Sequence, residues 1–123
     1  MSFKAKKIGC GRYIQEPGAV ACLGEEVLSL NGRKALVIAG KKALDFAGAE
    51  VEKSLQDASI DYYIYVMKSD CTYETLDELV SNIIPLQKAD IIIGVGGGKV
   101  MDMAKAVAKK ACLPLVNFPT SVA

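Results

Sequence analysis

The sequence has 123 residues, 51% hydrophobic and 24% charged, a balance that suits one folded soluble domain and excludes a disordered chain. Fifteen basic residues against 14 acidic ones leave a net charge of +1, too small for the basic footprint of a nucleic-acid binder. The apolar runs are too short to span a bilayer, and the basic start MSFKAKKIGCGRY has no apolar stretch behind it, so neither a membrane partner nor a signal peptide is expected.

Taken in chain order, Phe3 to Ile8 and Arg12 to Gln15 read as short strands, and Pro17-Gly18 breaks the chain. From Ala19, the apolar residues Val20, Leu23, Val27, Leu28 and Leu30 fall at helical spacing, with Asn31-Gly32 as a stop. Ala35 to Ala39 is a continuous apolar run, as expected of a strand buried on both faces, and Gly40 ends it. Leu44, Ala47, Val51 and Leu55 make the next helical stripe, and Ile60 to Met67 reads as a strand rich in Tyr, Ile and Val. Thr72 starts another helix, with Glu74 and Asp77 near its positive end and a stripe of Leu76, Leu79, Val80 and Ile83. Pro85 is expected to end or kink it, because proline lacks the N–H that continues a helix. Asp90 to Val95 is the clearest strand. Val100, Ala104, Val107, Ala108 and Ala111 form the last helical stripe, Pro114 to Phe118 is a final strand, and Pro119-Thr120 begins a loop.

Strands of buried type alternating with helices predict a parallel α/β sheet flanked by helices, a Rossmann-like domain covering residues 1–123. Ligands bind such sheets outside the carboxyl ends of the strands. Three loops of unusual chemistry are expected there: Gly40-Lys41-Lys42, Gly94 to Lys99, and Pro119 to Ala123. The four cysteines, Cys10, Cys22, Cys71 and Cys112, include no Cys-x-x-Cys pair, so they read as reduced thiols of a cytoplasmic protein. Histidine is absent altogether, which removes the commonest metal ligand and general base. No metal-binding residue is assigned within this sequence.

The stretch Gly94-Val95-Gly96-Gly97-Gly98-Lys99 runs from strand into helix. Without Cβ atoms, backbone N–H groups can approach an oxyanion closely. A helix start adds unpaired N–H groups and partial positive charge, so the arrangement suits phosphate, with Lys99 adding a full charge. A P-loop is excluded, since Val100 stands where the magnesium-binding hydroxyl belongs and Ile93 where the first glycine belongs. The usual Gly-x-Gly-x-x-Gly fingerprint fails too, because Lys99 takes the third glycine's place. The competing reading is a tight turn that needs glycine for geometry alone.

These residues carry a family resemblance. Gly96 to Lys105 resembles the GGGK-x-x-D-x-A-K stretch of glycerol dehydrogenases, a branch of the iron-containing alcohol dehydrogenases, most of which carry GGGS there. Pro119-Thr120 resembles the start of that family's PTIASTDAP loop, Gly11 to Gln15 its GKYIQG start, and Val51 to Leu55 its VEKS helix. The resemblance implies the N-terminal dinucleotide-binding domain of a dehydroquinate synthase-like/iron-containing alcohol dehydrogenase fold. It also implies a C-terminal helical domain, absent from this sequence, where one Asp and two His hold zinc or iron. Hydride then passes between a secondary alcohol or polyol and NAD or NADP. By matching position, Gly96, Gly97, Gly98 and Lys99 would meet the pyrophosphate. Gly40 and Lys41 would lie by the adenosine ribose, Thr120 and Ser121 along the cofactor, and Asp102 would orient the loop or approach the nicotinamide. Asp102 also reads as an exposed helix charge paired with Lys99 or Lys105.

The sequence departs from the family in three ways. It stops at Ala123, before an Asp that contacts substrate, and before the metal ligands. The strand ending at Gly40 normally ends in an Asp that holds the ribose hydroxyls and repels a 2′-phosphate. Here Lys41 and Lys42 follow instead, which points toward NADP as well as NAD. The chain alone is expected to be inactive, to bind cofactor weakly or to self-associate, and the whole protein to be a homo-oligomer. The alternatives are a non-catalytic nucleotide-binding module, or a relative such as glycerol-1-phosphate dehydrogenase or dehydroquinate synthase.

Overall fold

Two apolar runs set the centre of the molecule. Ala35 to Ala39 and Ile91 to Val95 are buried along their whole length, so their strands lie inside a sheet covered on both faces. The computed structural model describes residues 5–8, 11–14, 23–68 and 72–120. In chain order the elements are β1 (Ala5–Ile8), β2 (Gly11–Ile14), α1 (Leu23–Ser29), β3 (Lys34–Gly40), α2 (Lys41–Asp57) and β4 (Asp61–Met67). There follow α3 (Tyr73–Glu78), a π-helical turn (Leu79–Ile83), α4 (Ile84–Gln87), β5 (Ile91–Gly96), α5 (Gly98–Ala111) and β6 (Leu115–Pro119). The expected break at Pro17-Gly18 and the helical positions Ala19 and Val20 lie outside the described residues.

The strands join one sheet in the order β1-β2-β6-β5-β3-β4. All neighbours run parallel except β1, which pairs antiparallel with β2. Only two residues separate β1 from β2, enough for a hairpin and too few for a parallel crossover. Alternation along the inner strands divides the core. Ala35, Val37, Ala39, Ile91, Ile93 and Val95 pack with Val27, Val51 and Leu55 from α1 and α2. Leu36, Ile38 and Ile92 pack on the other face with Leu79 and with Met103, Ala104 and Val107 of α5. Each fully buried Ile or Leu stabilises the fold by roughly 1.5–3 kcal/mol, which makes this three-layer packing the main support of the domain.

Polar ties close the rest. At the amino end of the sheet, Asp90 accepts hydrogen bonds from the backbone N–H of Arg33 (3.0 Å) and of Lys34 (3.0 Å), fixing β3 against the start of β5. The Tyr62 hydroxyl donates to Glu52 (2.8 Å) and accepts from Gln56 (2.9 Å), clasping α2 to β4. Desolvation, then the Glu52 bond, raises the Tyr62 hydroxyl above its usual range, so it keeps the proton it donates. Thr72 caps α3 by accepting from the Thr75 N–H, as its position predicts.

Pro85 does not end its helix. The helical path runs one turn further, to Gln87, and the proline is accommodated by the π-helical turn over Leu79–Ile83. A proline ring crowds the carbonyl four residues earlier, here that of Ser81, and the wider turn gives it room. Leu79 is fully buried on this path, whereas Leu86 is 74% exposed.

Candidate functional site

The order of connections creates the crevice. From β3 the chain passes to β4 on one side, then returns to β5 and β6 on the other. The direction of winding therefore reverses between β3 and β5, and a ligand crevice is expected beyond their carboxyl ends. Those ends are Gly40 and Gly96. A cleft of about 300 Å³ lies there, lined by Gly40, Lys41, Lys42, Ala43, Gly96, Gly97 and Thr120.

Two helices begin at this cleft. α2 starts from Gly40 and α5 from Gly97, and neither has a side-chain cap or an acidic residue in its first turn. The first N–H groups of a helix have no partner within it, and here both helix starts, with the positive ends of their dipoles, open on the cleft. The third wall is held by the Thr120 N–H, which donates to the Gly96 carbonyl at 2.9 Å and ties the end of β6 to the glycine loop.

The glycines of the loop fall into two kinds. A Cβ on Gly94 would stand 2.5 Å from Asn117 Oδ1 and 2.8 Å from the Ala104 Cβ, so glycine lets α5 lie close on the sheet. Gly96 has φ +154°, and a Cβ there would meet Val100 at 2.9 Å. Geometry alone accounts for these two. At Gly97 and Gly98 an added Cβ would meet nothing within 4 Å. Among the described residues no contact requires glycine at either, and the space beside them opens at the start of α5. The fit to a dinucleotide phosphate rests on that cradle together with the uncapped N–H groups.

Of the residues singled out from the sequence, Gly40, Lys41, Gly96, Gly97 and Thr120 meet in the cleft, and Gly98 and Lys99 open α5 beside it. Ser121 lies outside the described residues. Asp102 faces another groove, of about 400 Å³, between α3 and α5, with Thr72, Tyr73, Leu76, Met103 and Ala106. That groove is mostly apolar, and the helix start that opens on it is that of α3, capped by Thr72. Ala43 joins the cleft without having been singled out. A small apolar residue inside a helix carries no chemical signal, and only the start of α2 at Lys41 brings it to the rim.

The family profile for iron-containing alcohol dehydrogenases matches residues 10–123. The chain belongs to the iron-containing alcohol dehydrogenase family. Among family members it is 33% identical over 110 residues to a glycerol dehydrogenase of Thermotoga maritima, and 36% identical over 110 residues to one of Escherichia coli O6:H1. Each match takes in 89% of this chain and 29% of the relative, so the chain spans less than a third of their length. The crystal structure of a probable glycerol dehydrogenase from Sinorhizobium meliloti 1021 superimposes with a TM-score of 0.74 at 27% identity, covering 95% of this chain and 30% of that one.

Among the described residues there is no ligand set for a metal of the family. The sequence has no histidine, and among the described residues no three His, Cys, Asp or Glu stand together as a metal site. Among the described residues, no helix is long and apolar enough to cross a membrane.

Proposed function

We propose that this chain is the dinucleotide-binding domain of a polyol dehydrogenase similar to the glycerol dehydrogenases, and that its ligand is NAD or NADP. The observation that carries the reading is the pair of glycines, Gly97 and Gly98, which no packing among the described residues requires, at a helix start without a side-chain cap. Backbone N–H groups from Gly98 onward and the Lys99 ammonium would hold the pyrophosphate, with Thr120 on the opposite wall. When bound, the nicotinamide accepts hydride from a secondary alcohol. The residues of this chain bind and orient the cofactor, and the part played by a metal needs ligands from outside this sequence. By itself the chain therefore binds nucleotide without turning over an alcohol. We place it in the cytoplasm, where its thiols stay reduced.

Cofactor choice follows from the end of β3. Gly40 has no carboxylate to repel a 2′-phosphate, while Lys41 and Lys42 are exposed beside it at the start of α2. NADP is thus accepted at least as well as NAD. Calorimetric titration of the chain with each cofactor tests both parts. Binding that is weakened roughly tenfold in Gly97→Ala supports the site, and the absence of any binding by the parent chain refutes it. Tighter NAD than NADP binding refutes the cofactor preference alone.

A further inference from the structure

The outer edge of β4 has no neighbouring strand among the described residues. β4 stays in unbroken parallel register with β3 from Asp61 to Met67, and among the described residues no strand lies on its other side. The Asp61 N–H donates to the Arg33 carbonyl, so the backbone groups of Asp61, Tyr63, Tyr65 and Met67 point toward β3. Those of Tyr62, Ile64 and Val66 then point outward, because the direction alternates along a strand. Natural edge strands are protected by proline, lysine, a bulge or a cover. The run Asp61-Tyr62-Tyr63-Ile64-Tyr65-Val66-Met67 contains no proline or lysine and no break in register.

We propose that the partner for this edge is the β4 strand of a second copy of the chain, antiparallel about a two-fold axis at Ile64. Two features of the strand select that occupant and direction. The first is side-chain pairing. With the axis at Ile64, Tyr62 opposes Val66 of the second copy as a hydrogen-bonded pair, and Ile64 opposes Ile64. Tyr63 then opposes Tyr65 of the second copy, twice over, in the closer non-hydrogen-bonded positions. Aromatic–aromatic and aromatic–β-branched pairs are the stabilising cross-strand combinations. Tyr63 is 38% exposed in the single chain and is covered by this pairing. The second feature is charge. Asp61 begins the strand and the exposed Lys68 follows its end, so antiparallel pairing sets each acidic end beside a basic one, whereas parallel pairing sets like charges together. A two-fold contact of this kind also closes, leaving no free edge on either β4 for a third copy. The edge lies on the far side of β3 from β6, and the dimer does not depend on what the cleft binds.

Sedimentation equilibrium of the chain over a range of concentrations tests the proposal. The expected result is a monomer–dimer equilibrium, with a limiting mass twice the 13.1 kDa of the chain. Tyr63→Lys alters an exposed side chain and should weaken the dimer by about tenfold or more, with the circular dichroism spectrum unchanged. Asp61→Lys and Lys68→Asp should each weaken it about threefold or more at low salt, and the double exchange should restore it. A monomer at every concentration overturns the proposal. So does a dimer indifferent to all these substitutions, which would use another surface, or an assembly that grows without limit.

Discussion

At the amino end of the sheet, the N–H groups of Arg33 and Lys34 are closed off by the Asp90 carboxylate. At the carboxyl end, the first turns of α2 and α5 face a cleft and have no side-chain cap. The two ends present the same kind of donor and treat it in opposite ways. One end uses a side chain for an internal bond, and the other, which has no such side chain, is where the proposed dinucleotide would bind. The lesson is that a candidate site of this class can be sought by asking which helix starts the chain leaves without a side-chain cap.

Four substitutions break or sharpen that contrast, in decreasing order of their effect on stability. Gly94→Leu drives a side chain into Asn117 and Ala104 under the floor of the cleft, and should cost about 3 kcal/mol or more in urea unfolding. Asp90→Ala returns the two closed donors to water. A loss of about 1 kcal/mol is expected, with cofactor affinity unchanged because the cleft is at the opposite end. Gly97→Ala should leave stability within about 0.5 kcal/mol of the parent, since nothing lies near its Cβ, yet weaken dinucleotide binding by roughly tenfold. Equal binding by that variant and its parent would mean the donors are not reserved for an anion. Gly40→Asp makes the carboxyl end imitate the amino end. The residue is the N-cap of α2 with φ −83°, and its Cβ would stand 3.5 Å from Val100, an ordinary contact. A gain of a few tenths, about 0.3 kcal/mol, is expected in the melting curve, together with a shift of preference from NADP toward NAD in competition titration.

Much of this arrangement was legible in the sequence where physics leaves one solution. Ala35 to Ala39 and Ile91 to Ile93 are apolar at every position, and only a strand covered on both faces fits that pattern. The glycine run at the end of β5 and the Gly40-Lys41-Lys42 turn both sit at carboxyl strand ends, and the fold brings them to one cleft. Other features depend on contacts between distant segments. Asn117 reads as one polar residue in an apolar strand. In the fold it is 2% exposed beneath Gly94, and its Oδ1 has no partner among the described residues. The place of Asp102 in the groove beside Tyr73 likewise follows from packing rather than from local pattern. A motif aligns Asp102 with the loop, but helix geometry decides which way it faces.

The π-helical turn before Pro85 changes the phase of everything after it. In an uninterrupted α-helix, positions seven apart lie on nearly the same face, so Leu86 would follow Leu79 into the core. One extra residue in a turn rotates the remainder by about 100°, and Leu86 accordingly stands in solvent while Leu79 is buried. Such a turn has the form that a single-residue insertion leaves in a helix, absorbed locally so that the residues after it keep their faces. Deleting Ser81 would turn the path into an uninterrupted α-helix in which Leu86 follows Leu79 by six positions, still facing solvent, while Ile83 and Ile84 keep their present contacts.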